Sequence, residues 1–403
     1  MSIKKEALDL HRNYEGKLEM NAKVPVETQK DLSLAYSPGV AEPCKHIHQQ
    51  PEDVYTYTNK GNMVAVVSNG SAVLGLGDIG PEASLPVMEG KSILFKRFAN
   101  IDAVPLCLNL DSPEDIIQTI QAVEPSFGGI NLEDIGAPDC FEIEEALKQS
   151  MNIPVFHDDQ HGTAIVTLAG VLNAAKLVDK PIETLNVVIN GAGSAGVAVA
   201  NLLLSVGVAD IIMCDSTGIL STTRHSRMTK TKKIMAEKTN KQNIEGSLQD
   251  AVPNADVLIG VSQGGAFTEE MIQKMNQNPI IFAMANPDPE IWPEDAKRAG
   301  ATVIGTGRSD QMNQVNNVLA FPGVFRGALD SRATTINEKM KIAAAEAIAD
   351  LIGEEERTSD YIIPPPFDAR VGEVVAAAVS QAAVESGVGR PVSSSSSTMS
   401  ELV

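Results

Sequence analysis

The chain has 403 residues, 43% of them hydrophobic and 21% charged, an ordinary globular mix long enough for two or three domains. Its formal net charge is −20, which argues against nucleic acid or an anionic membrane surface as the main partner. Its four cysteines, Cys44, Cys107, Cys140 and Cys214, show no C-x-x-C spacing, so neither a structural zinc site nor a secreted disulfide framework is expected.

Residues 1 to about 20 read as an amphipathic helix, with Ala7, Leu8 and Leu10 set among Lys and Glu. The stretch lacks the apolar centre of a signal peptide, and the expectation is a soluble cytoplasmic protein. In Leu34 to Cys44, Pro38 and Gly39 make a turn directly after Tyr36. A tyrosine there is either core with a satisfied hydroxyl or an acid presented to a cleft. Met63 to Gly70 reads as a buried strand, and Ser71 to Gly80 as a second strand with a glycine turn. Lys91 precedes an apolar, strand-like run. Such a lysine is usually solvated, and partial burial would lower its pKa towards use as a base.

A helix is expected from about Asp111 to Glu124, with an N-cap and an early proline. Glu133 and Asp134 then follow one apolar run, and Asp158 and Asp159 follow another. Acids at the carboxyl ends of strands are well placed for a site in an α/β fold. One such pair is ordinarily a solvated turn; two suggest oxygen ligands for Mg²⁺ or Mn²⁺. His157 and His161 flank the second pair and read as structural. Gly162 opens a helix with Ile165, Leu168, Leu172 and Ala175 on one face.

Residues Leu185 to Asp215 read as strand, glycine turn, helix and strand. Gly191, Gly193 and Gly196 have G-x-G-x-x-G spacing, with Ala192, Ser194 and Ala195 between them. The first glycine permits the turn, the second lets backbone approach a pyrophosphate, and the third lets helix pack on strand. The phosphate would lie on N–H groups at the helix N-terminus, and Asp215 could accept from a ribose 2′-OH. The bland alternative is a small-residue packing site in any α/β protein. No apolar run here reaches membrane-spanning length, because Asn201, Ser205 and Asp210 break it. The loop after Asp215 is polar and basic and is expected to be exposed. Strands are expected within Ala255–Gly265, Asn278–Glu290 and Thr302–Phe325. Helices follow from Asn337 to about Gly353 and from Val371 to Glu385, and then a disordered serine-rich tail.

Read together, LAYSPGVA, GLGDIG, GKSILF, NLEDI, FHDDQHGTA, NGAGSAG, ANPDPE and GRSDQMNQVNNVLAFPG resemble the malic enzymes in their short bacterial form, in the family's order. The resemblance implies a Rossmann-type doubly wound parallel sheet domain plus a smaller α/β N-terminal domain. The expected division is 1–160 and 161–390, with 391–403 as the tail. It implies oxidation and decarboxylation of L-malate to pyruvate and CO₂ with NAD or NADP, and a homo-oligomer, a dimer in the first instance. Tyr36 would be the general acid and Lys91 the general base and a substrate contact. Glu133, Asp134 and Asp159 would ligate Mg²⁺ or Mn²⁺, with Asp158 supporting Lys91 or the metal ligands. Asn286 and Asn317 would contact malate, and Asn286 would also approach the nicotinamide. Longer members carry an arginine for a substrate carboxylate where this chain has Ala72, which leaves that partner open. Asp215 favours NAD, because a carboxylate repels a 2′-phosphate. Arg224, His225 and Arg227 nearby keep NADP open. An anionic substrate in so acidic a chain needs the metal and local cations. The rival readings are an oxaloacetate decarboxylase without net redox, a non-catalytic dinucleotide-binding regulator, and amino-acid or shikimate dehydrogenase chemistry.

Overall fold

The computed structural model describes residues 3–73 and 75–390; the expected disordered tail, 391–403, lies outside the described residues. Short apolar runs build two sheets. The first holds β1 (Met63–Ser68), β2 (Asp102–Cys107), β3 (Gly129–Leu132) and β4 (Val155–His157), all parallel, in the order β2-β1-β3-β4. The second holds β5 (Asn186–Asn190), β6 (Asp210–Asp215), β7 (Gly218–Ile219), β8 (Val257–Gly260), β9 (Ile280–Ala283) and β10 (Val303–Thr306). Its order is β10-β9-β8-β5-β6-β7, and only β7 runs antiparallel. Strands such as β1, apolar as far as its last residue Ser68, and β8 are continuous apolar runs because parallel sheets are covered on both faces.

Strand order in the second sheet reverses beside β5, so a crevice opens at the carboxyl end of that strand. The helix Asp158–Leu177 connects the sheets. It is apolar nearly all round and buries most of its residues, as a core helix must. One continuous core runs from Val64 and Val66 of β1 through Leu168 to Ile189 of β5. Edge-on rings help to close it: Phe95 stands 4.7 Å from Phe321 and 5.2 Å from Phe325.

Three local expectations are corrected. Lys91 lies inside a helix, Pro81–Ala99, not before a strand; Pro81 at the first turn starts it, and Met88, Ser92, Phe95 and Ala99 form its buried face at helical spacing. Among the described residues of the expected second strand, Ser71 to Gly80, there is only an isolated bridge between Val73 and Gly77, and Gly75, Gly77 and Gly80 all take positive φ. The helix expected from Gly162 starts four residues earlier, so Asp158 and Asp159 occupy its first turn.

The first helices, Ile3–Tyr14, Gln29–Ala35 and Ala41–Gln49, bury no residue at all. Among the described residues no helix is long and apolar enough to cross a membrane.

Candidate active site

β3 ends at Leu132, and the turn beyond it carries Glu133 and Asp134, each 4% exposed. Asp134 adopts φ 53°, a left-handed conformation that Asp tolerates better than most residues. β4 ends at His157, and Asp158 and Asp159 follow directly. Because β3 and β4 are parallel neighbours, both acidic pairs emerge at the same sheet edge. Carboxylate oxygens of Glu133, Asp134 and Asp159 all lie within 4.8 Å of one another. The Asp134 N–H donates to Asp159 Oδ2 at 2.9 Å, which ties the two turns together.

Lys91 enters the cluster from the helix Pro81–Ala99. Its Nζ lies 2.8 Å from Glu133 Oε1 and 2.7 Å from Asp158 Oδ2, and 4.4 Å above the Phe321 ring. Asn317 completes this side: its amide donates to Asp158 Oδ2 at 3.1 Å and accepts from the Thr163 hydroxyl at 3.2 Å. Burial works against the Lys91 ammonium, but Asp158 and then Glu133 hold its pKa above the ordinary lysine value. Burial pushes Glu133 well above the usual carboxylate range and Asp158 upward too, each partly opposed by Lys91. Lys91 thus pairs directly with two of the four carboxylates gathered here, Glu133 and Asp158. Asp158 Oδ1, fully buried, has no hydrogen-bond partner among the described residues. An all-oxygen, anion-rich donor set of this kind fits a hard divalent cation.

The glycine turn after β5 lies across a cavity of about 520 Å³. Gly191 takes φ 132°, which strongly favours glycine. A Cβ on Gly196 would lie 1.8 Å from the Gly191 carbonyl oxygen, so this glycine sets the close packing of helix on turn. A Cβ on Gly193 would meet nothing within 4 Å; its Cα faces the room a pyrophosphate needs. Ala192 also lines the cavity, while Ser194 and Ala195 begin the helix Ser194–Ser205, whose free N–H groups suit an anion. Asp215, at the end of β6, lines the far part, and Pro138 and Phe141 of the first sheet's layer wall the near part.

Asp215 is not alone. Its Oδ2 accepts from Arg224 at 2.7 Å and from Lys232 at 2.6 Å. Burial raises its pKa, but those two partners prevail and hold it down to about 2. The loop expected to be exposed thus folds back in part: the Arg224 side chain is only 10% exposed.

The structure brings Lys91, Glu133, Asp134, Asp158, Asp159 and Asn317 into one cluster. Asn286 is exposed, in the loop after β9. Tyr36 is not brought in: it is 69% exposed, and no hydrogen bond joins its hydroxyl to the described residues. Ala72 lies against the acidic turn, donating its N–H to the Asp134 carbonyl at 3.0 Å. Sequence reasoning missed Asn131, which orients Glu133 through Oε2 at 2.9 Å. Its signal was available, since residues two apart on a strand share a face.

The family model described as "Malic enzyme, NAD binding domain" matches residues 160–384, and that for "Malic enzyme, N-terminal domain" matches 15–114. The chain is 62% identical to a Bacillus subtilis protein named bifunctional malic/malolactic enzyme, over 97% of this chain and 95% of that one. It is 54% identical to an NAD-dependent malic enzyme of Geobacillus stearothermophilus, over 93% of this chain and 78% of that one. The crystal structure of malic enzyme from Pyrococcus horikoshii superposes with a TM-score of 0.93 at 48% identity, covering 96% of this chain and 92% of that one. The NAD-binding model alone matches more than half of the chain, the Bacillus subtilis relative aligns over 97% of it, and the chain belongs to the malic enzyme family.

Proposed function

We propose that this protein oxidises and decarboxylates L-malate to pyruvate and CO₂, reducing NAD or NADP, with Mg²⁺ or Mn²⁺ held by Glu133, Asp134 and Asp159. The observation that carries the reading is that the ammonium of Lys91 and the three-acid group meet at one carboxylate, Glu133, 2.8 Å from Nζ. A cation held by Glu133, Asp134 and Asp159 would polarise the C2 oxygen of the substrate and disfavour an ammonium at Lys91, and a nicotinamide held at the glycine turn would supply the hydride acceptor for C2.

The chain's own groups move the protons. Asp158 Oδ2 holds Lys91 Nζ at 2.7 Å and, with Glu133, keeps its pKa high; a cation bound by the acids would offset that negative field, so that Lys91 sheds its proton to solvent and can act as a base. The neutral Lys91 amine then takes the proton of the malate C2 hydroxyl. Asn317 holds Asp158 in place and offers its amide to the substrate, as does Asn286 from the loop after β9. The Tyr36 hydroxyl delivers a proton to C3 after the β-carboxyl group leaves, which gives pyruvate.

The preference for NAD expected from Asp215 rests on its negative charge. Arg224 and Lys232 together set two positive charges against that one. We therefore infer that the ribose pocket admits NADP alongside NAD, with Asp215 as the acceptor for a free 2′-OH. The division at residue 160 is proposed on topology: β1–β4 precede it and β5–β10 follow it. A cytoplasmic setting is proposed because all four cysteines are free thiols.

The deciding measurement is absorbance of reduced nicotinamide with L-malate, Mn²⁺ and each cofactor in turn. Reduced cofactor should accumulate, and excess EDTA should abolish it. Full turnover in chelator would remove the cation assignment. Loss of CO₂ from oxaloacetate with no oxidation of malate would favour a simple decarboxylase.

A further inference from the structure

Glu144 is a buried carboxylate that the mechanism above does not use. It lies on the helix Asp139–Ser150 and is 6% exposed. Its Oε1 accepts from the His157 N–H at 3.2 Å, from His161 Nε2 at 2.8 Å and from Lys148 Nζ at 2.7 Å. Its Oε2 accepts from Gln160 Nε2 at 3.3 Å and from His161 Nε2 at 3.0 Å. Three of its donors thus belong to residues 157, 160 and 161. They bracket Asp158 and Asp159, one of which pairs with Lys91 and the other of which belongs to the three-acid group.

Lys148 Nζ also lies 3.3 Å from His161 Nε2, but Nε2 faces both oxygens of Glu144, which can only accept, so the ring hydrogen belongs on Nε2. Lys341 Nζ lies 3.2 Å from His161 Nδ1, and an ammonium can only donate. Nδ1 is therefore an acceptor, and the hydrogen of a neutral His161 sits on Nε2, facing Glu144. Nothing on the Asp158 helix itself does this job: His157 is its N-cap, and its side chain makes no capping bond. Glu144, on another helix, instead holds the turn through the His157 N–H and the side chains of Gln160 and His161.

We propose that Glu144 is a positioning residue that fixes the Asp158–Asp159 turn in the geometry its acids need to bind a divalent cation and Lys91. The inference rests on the cation reading above. Glu144 touches none of the proposed ligands and acts through the turn that carries them. A merely structural buried carboxylate would change stability when replaced. A positioning one changes cation affinity in protein that remains folded.

The test is Mn²⁺ binding to the full-length protein, read from the electron paramagnetic resonance of the free ion, with NADH binding by fluorescence alongside. Wild type should bind Mn²⁺, and Asp159→Asn should lose it. Failure of either result overturns the cation reading, and this inference with it. Glu144→Gln should weaken Mn²⁺ by about 10–100-fold, the usual effect of removing an outer hydrogen-bond partner. NADH binding should be unchanged, because Glu144 makes no contact with the glycine turn. Wild-type Mn²⁺ affinity in folded Glu144→Gln would overturn the inference and leave the cation reading standing. Should that variant not fold, the pair His161→Gln and His161→Leu carries the test. Glutamine keeps an N–H towards Glu144 and should bind Mn²⁺ like wild type; leucine does not and should bind about tenfold more weakly. Equal Mn²⁺ affinity in the two would overturn the inference.

Discussion

Asp158 shows how little freedom the central residues have. Its Oδ2 is held by Lys91 and Asn317, and its Oδ1 points at Gly162, where a Cβ would lie only 1.9 Å away. An exposed carboxylate would simply swing aside; this one cannot without releasing Lys91. Gly162→Ala therefore sets two effects against each other. Alanine favours a helix interior by about 0.5–1 kcal/mol over glycine. The methyl group also displaces the Asp158 carboxylate, and misplacing a catalytic group by about 1 Å can cost about 100-fold in rate. The expected outcome is a kcat lowered by about 10–100-fold with a melting temperature close to wild type. A folded variant with normal turnover would show that Asp158 does not need its present position.

At the scale of elements, the end of β6 and the loop that folds back on it set the cofactor question. Arg224 and Lys232 reach Asp215 from nine and seventeen positions further along the chain. Removing one cation leaves Asp215 less compensated, which disfavours a 2′-phosphate more than a 2′-hydroxyl. Lys232→Ala should lower kcat/KM for NADP by about tenfold, as expected for loss of a charge-assisted contact of 1.4 kcal/mol or more, and lower that for NAD little. An unchanged ratio between the cofactors would take Lys232 out of the ribose pocket. This element also marks where the sequence stops being legible. β5, the glycine turn and β6 announce themselves through apolar runs and fixed glycine spacing. Both acidic turns could be read as strand-end acids, although Asp158 and Asp159 turn out to open a helix. Lys91 was misread for a general reason: a short apolar run such as Ile93-Leu94-Phe95 suits a strand or a buried helix equally. Glu144 had no readable signal as a partner of His157 and His161, because its bonds cross from one helix to the start of another. Arg224 could be seen as a nearby charge, but not as one turned inward.

For the molecule as a whole, the first fifty-odd residues pose the sharpest physical problem. Three helices there bury nothing, yet Leu8 and Leu34 are each 65% exposed and Met20 is 85% exposed. An amphipathic face of that kind does not hold its shape in water without a partner. The proposed partner is a second copy of the chain, since self-complementary two-fold contacts are the commonest way to cover such a face. Tyr36 sits at the end of the helix Gln29–Ala35 on this same segment. An acid fixed only by an uncovered helix has no defined approach to a substrate, so covering the segment also gives Tyr36 a defined place. The double variant Leu8→Glu, Leu34→Glu places charges where a dry contact is expected. It should sediment as a monomer and lose malate oxidation by about tenfold or more, through loss of positioning, while NADH binding at the glycine turn persists. A variant that is monomeric and fully active would separate assembly from catalysis. One that remains dimeric would move the contact to another face, because two buried glutamates at an apolar interface are too costly to leave it intact.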